Sequence, residues 1–201
     1  MKKFFHCALL FALTTLIFLT ATAHAEPVKI ARVPIIFQCN APDAKICAAL
    51  ETKIERAIHI PLNGYLQVAE YLPPEESARV LGEIWQEMST DKKTKLADAM
   101  RPLADALDAD IVVCPILQNF SQYIVGFSGW YSDEILDSYA AVELIVYDRR
   151  TDELVDKKAS RMHHDTMSGL GTAFHLATVC FDTVIAETKL KERIRAIGRT
   201  D

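Results

Sequence analysis

The stretch IVVCPIL, residues 111–117, is apolar without interruption or alternation. A β-strand of this kind has no face to offer to water, so it must be covered on both sides, and helices packed on either face of a central sheet are the ordinary way to do that. An α/β fold is therefore the first expectation, with this stretch at its centre.

The neighbouring segments supply the rest of such a sheet. VKIARVPIIF (Val28 to Phe37) mixes β-branched residues with alternation and reads as a first strand, with Pro34 implying an edge position or a bulge. Ile46, Leu50, Ile54, Ala57 and Ile58 recur at spacings of three and four, which gives one apolar helical face; Pro61 and Asn63-Gly64 end it. YLQVAEYL (Tyr65 to Leu72) reads as a second strand. A helix follows from Pro73-Pro74-Glu75-Glu76 through Val80, Leu81, Ile84, Trp85 and Met88. The next helical stretch, to Leu107, contains Pro102, so a kink or a division into two short segments is expected.

Beyond the apolar strand, Gln118 to Ser138 is irregular and aromatic-rich, a strand followed by a loop. Tyr139 to Asp148 and Glu153 to Asp165 flank a polar Arg149-Arg150-Thr151-Asp152 turn and predict a hairpin. Thr172 to Ile197 predicts one long amphipathic closing helix. No repeat, linker or low-complexity stretch divides residues 26–201, so they read as a single domain: a mixed central sheet of about five strands, helices packed on it and a terminal amphipathic helix.

The first 25 residues have a different character. Lys2-Lys3, an apolar stretch from Phe4 to about Thr20 and Ala23-His24-Ala25 form the three-part layout of a secretory signal peptide. An exported protein, periplasmic or extracellular, is expected, with no stable membrane anchor after cleavage; Cys7 lies too early to be a lipoprotein cysteine. Cleavage after Ala25 removes Lys2 and Lys3 from a formal net charge of −5, leaving −7. With no Lys/Arg cluster, nucleic acid is not an expected partner. In an exported chain the remaining cysteines are free to oxidise, and Cys39 and Cys47, flanking NAPDAKI, are the expected disulfide. Cys114 and Cys180 have apolar neighbours and read as buried thiols.

Three residues form a candidate metal or hydrolytic centre. In the segment RMHHDTMSGLGTAFH, strand alternation sends His163 and His164 to opposite faces, whereas His163 and Asp165 share one, and His175 reaches them from beyond the glycines. Imidazole and carboxylate ligands suit a divalent transition metal. The bland reading competes with it: a strand-to-helix junction in which Gly169 and Gly171 turn the chain and Thr172 caps the helix. The segment has neither an HExxH motif nor a P-loop lysine. Phe127-Ser128-Gly129-Trp130 lacks a nucleophile elbow. No cofactor is implied, and non-catalytic binding is expected ahead of catalysis. Its candidate contact residues are Tyr123, Phe127, Trp130 and Tyr131, since aromatics in a glycine-bearing loop suit protein interfaces.

VKIARVPIIF, LDADIVVCPILQNF and AVELIVYDRRTDELV, with the closing helix, give the chain its resemblance to a bacterial envelope domain. That domain is shared by LpoB-type activators of penicillin-binding proteins, the periplasmic part of curli secretion channels and the amino-terminal domain of TolB. The resemblance implies a binding or assembly role toward another envelope protein and transfers no catalytic residue.

Overall fold

The computed structural model describes residues 26–66, 68–89, 94–126 and 134–197. The chain forms β1 (Val28–Arg32), β2 (Ile36–Phe37), α1 (Ala44–Ile58), α2 (Asn63–Leu66), β3 (Ala69–Leu72) and α3 (Pro74–Met88). A 3-10 turn (Leu96–Ala99) leads into α4 (Met100–Ala106), β4 (Ile111–Val125), β5 (Ile135–Asp148) and β6 (Glu153–Thr166). A second 3-10 turn (Gly169–Gly171) precedes α5 (Ala173–Thr188) and α6 (Leu190–Ile197).

The six strands form one mixed sheet in the order β3-β1-β4-β5-β6, with β2 also on β4. The β3, β1 and β4 strands run parallel, and β4, β5 and β6 form an antiparallel meander. The crossover from β1 to β3 carries α1, and the crossover from β3 back to β4 carries α3 and α4. Two crossovers of one hand that travel in opposite directions along a sheet lie on opposite faces, and this places helices on both sides of β4. On one face Val28, Ile30, Val142, Leu144 and Val146 pack with Leu50 and Ile54 of α1 and Phe181 and Val184 of α5. On the other, Val112, Cys114, Ile116, Ile145 and Tyr147 pack with Leu81 of α3 and Met100 and Leu103 of α4. Ile111 to Leu117 is accordingly buried from end to end.

The sixth strand comes from Pro34. Lacking an N–H, it interrupts the ladder between β1 and β2, while its neighbours stay bonded: Val33 N donates to Val113 O at 2.9 Å and Ile35 N to Glu51 Oε1 at 2.6 Å. Pro102 falls in the first turn of α4, where a missing N–H costs no helical bond. The division expected near it is the step from the 3-10 turn into α4.

Three expectations are corrected. Tyr65 and Leu66 belong to α2, and the second strand begins only at Ala69, because the Asn63 side chain replaces a strand partner there. It donates through Nδ2 to Ala69 O at 2.6 Å and accepts from Ala69 N at 2.7 Å. The closing helix is two helices, broken at Lys189, whose backbone is left-handed with φ 51°. Cys39 and Cys47 are free thiols. Cys39 Sγ donates to Leu117 O at 3.6 Å, alongside β4, whereas Cys47 Sγ donates to Pro42 O at 3.3 Å, back over the start of its own helix. Cys114 and Cys180 are fully buried, as their neighbours imply.

Candidate functional site

The β4-β5-β6 meander is longer than the helices that cover it. On the α5 side a helix runs along it, but among the described residues the cover on the side of α3 and α4 ends near Ile145. Cross-strand register shows what lies beyond. Rows of neighbours read Asn119-Ala141-Ser160, Ser121-Tyr139-Met162 and Tyr123-Asp137-His164 across β4, β5 and β6. All nine positions alternate onto the α3 face. Met162 is 73% exposed and Tyr123 66%. In the outermost row His164 Nδ1 lies 3.3 Å from Asp137 Oδ2 beside Tyr123, and the middle row carries Tyr139 and Met162.

Where the cover ends there is a cleft of about 880 Å³. Val33 and Ile36 from the β1-β2 turn, Leu81, Gly82 and Trp85 from α3, and Leu96 form its walls. Its floor is Ile116, Gln118, Glu143, Ile145, Asp156 and Lys158 of the sheet, continuous with the open rows beyond. Pairing shifts between Leu117 and Asn119, leaving Gln118 as the extra residue of a β-bulge. Bulges re-aim side chains beside sites. Here Gln118 Nε2 donates to Glu143 Oε2, which also takes Lys158 Nζ at 3.1 Å. Glu143 is thus a nine-tenths buried carboxylate held by an amide and an ammonium. The pair holds the Lys158 ammonium above its ordinary range, the hydrogen bond to Glu143 being the main cause. The buried thiol of Cys114 on the same face is pushed up to about 12 by burial, with the Glu143 charge adding to it. It is not a nucleophile at neutral pH.

The structure does not assemble the expected His163, Asp165 and His175 centre. Among the described residues no group of three His, Cys, Asp or Glu is placed to hold a metal ion. The reason is local. The His163 ring is packed against Gly171 with Nε2 3.4 Å from Thr166 O, and Asp165 Oδ1 accepts from Thr166 N at 2.7 Å. His175 sits in the first turn of α5, its backbone N donating to the capping Thr172 Oγ1 at 3.3 Å. Thr172 is therefore the helix cap, and the segment is a strand-to-helix junction. Of the expected contact aromatics, Tyr123 is on the open face; Phe127, Trp130 and Tyr131, like Ser128 and the leader, lie outside the described residues. The cleft is assembled from six separated stretches of chain. Gln118 and Glu143 are its only early signal, as polar residues inside otherwise apolar strands.

Several bacterial proteins of known structure, a lipoprotein among them, are similar to this chain. The chain is similar to the hypothetical protein CT253 from Chlamydia trachomatis at 13% identity and TM-score 0.47, covering 85% of this chain and 99% of that one. It is similar to PelC, a dodecamer from Paraburkholderia phytofirmans, at 17% identity and TM-score 0.41, covering 82% and 89%. Lipoprotein GNA1162 from Neisseria meningitidis gives 17% identity and TM-score 0.36, covering 83% and 98%. No family model matches the chain, and no curated protein does. These comparisons do not show the expected resemblance to LpoB-type, curli-channel or TolB domains. Among the described residues no helix is long and apolar enough to cross a membrane.

Proposed function

We propose that the protein is exported and acts as a non-catalytic module that binds another protein of the cell envelope. The contact surface is the open α3 face of the β4-β6 meander. The observation that carries this reading is the register that sets Tyr139 beside Met162, with Tyr123 one row further out, beyond the helical cover. Tyrosine and methionine are enriched in protein interfaces, and here they stand among polar neighbours on an exposed sheet face. The signal-peptide layout of residues 1–25 supports export.

A photo-crosslinking residue at Met162, with a second at Arg79 on the far-exposed side of α3 as control, tests the reading in the native envelope. A defined protein adduct at Met162 and not at Arg79, with purified partner binding weakened at least about tenfold by Tyr123→Glu, supports it; a tenfold loss corresponds to ~1.4 kcal/mol. The same adducts at both positions, or none at Met162, overturns it.

A further inference from the structure

We propose that β6 is a dimerisation edge: two copies of the chain pair antiparallel through it, about a two-fold axis at Lys158, and join their sheets into one. β6 ends the sheet, and among the described residues it pairs with β5 alone. The opposite edge, β3, is four residues long, the short kind that resists pairing. β6 runs for fourteen residues without glycine, proline or a shift of register along β5. A regular edge of that length offers a row of main-chain donors and acceptors to another strand. The pairing goes beyond the partner reading, which uses the face of the sheet and not its edge.

The side chains select a second copy of the same strand. A two-fold axis perpendicular to the sheet keeps each residue on its own face, so it must pass through one residue of the strand, which then faces itself. Centring on Lys158 sets Leu154 against Met162 of the second copy, twice by symmetry; both are exposed and both lie on the α3 face. Apolar cross-strand pairs of this kind stabilise a sheet. At the axis Lys158 meets its own copy, but each ammonium is drawn to Glu143 at 3.1 Å, and Asp156 of the second copy stands on the diagonal. The neighbouring registers bring like charges together. Centring on Lys157 sets that residue on itself, and centring on Ala159 sets Lys157 on Arg161 and Glu153 on Asp165.

Light scattering across a concentration series of the purified protein tests the proposal, and a dimer is expected. Leu154→Glu and Met162→Glu, both at exposed positions, should each weaken it about tenfold or more, because symmetry removes the pair twice. Leu154→Glu combined with Met162→Lys should restore it, since the two copies then meet with opposite charges. A short bis-maleimide reads the register on Leu154→Cys, Met162→Cys and the double variant. Only the double variant should give crosslinked dimer above the background that the native cysteines set in the parent. Within one strand the two positions are too far apart for the linker. A monomer throughout the series, a dimer insensitive to both glutamates, or a single cysteine variant that crosslinks as strongly as the double overturns the proposal.

Discussion

The imidazole of His163 lies flat against the α-carbon of Gly171: a Cβ at residue 171 would stand 2.3 Å from His163 Cδ2. Gly171 has no positive φ, so its role is close approach and not an unusual backbone. Gly171→Ala is therefore expected to destabilise the protein by about 1–3 kcal/mol, the range for overpacking. His163→Ala in the same chain should restore most of it. Urea unfolding of the two single variants and the double variant reads the coupling directly; additive effects would show that the ring and the glycine are independent.

The same contact marks how far the residues alone could be read. Alternation correctly divided His163 from His164, and Thr172 was recognisable as a cap because it precedes an apolar helical pattern. The direction of the His163 ring was not readable, since it depends on a glycine eight residues later and not on strand periodicity. Likewise IVVCPIL announced the doubly covered sheet, through composition that is local to one strand. The cleft joins β1-β2, α3, the turn at Leu96, β4-β5 and β6, and no local pattern links stretches that far apart. A single acid in AVELIVYD looks like the polar side of an alternating strand; the burial of Glu143 follows from the bulge at Gln118 and the pairing with Lys158.

The break in the closing helix has its own consequence. Lys189 is left-handed, and an L-residue with a β-carbon is strained there whereas glycine is not. No glycine marks the position, which is why the amphipathic pattern runs through it unbroken. Lys189→Gly should stabilise the protein by about 0.5–1 kcal/mol. Thermal unfolding monitored by circular dichroism should show a higher Tm. A lower one would mean that residues 173–197 are a continuous helix in solution.

Gly82 gives a third expectation, one of stability alone. Since a Cβ there meets nothing within 4 Å, Gly82→Ala should stabilise α3 by about 0.5–1 kcal/mol through the reduced entropy of the unfolded chain. Chemical denaturation measures it. A destabilised variant would reveal that the backbone of α3 is more tightly approached than this geometry shows.

Asp108, at the end of the sheet where α4 enters β4, contributes to the acid side of the stability profile. Its Oδ2 receives Lys29 Nζ at 2.8 Å and its Oδ1 receives Arg149 Nη2 at 2.8 Å. The Lys29 hydrogen bond, then that of Arg149, holds its carboxyl down from 3.8 to about 2. A carboxyl depressed in the folded state binds its proton more weakly there than in the unfolded chain. The stabilisation is therefore present above pH 3.8 and lost as the pH falls through about 2. Because the group is exposed, salt screens the effect. Asp108→Asn should flatten the fall in stability across that window and leave the profile's shape above it unchanged. In the parent, an NMR titration of the Asp108 carboxyl should move toward 3.8 when Lys29→Met and Arg149→Met are combined. A midpoint already near 3.8 in the parent would show that neither cation holds the carboxylate in solution.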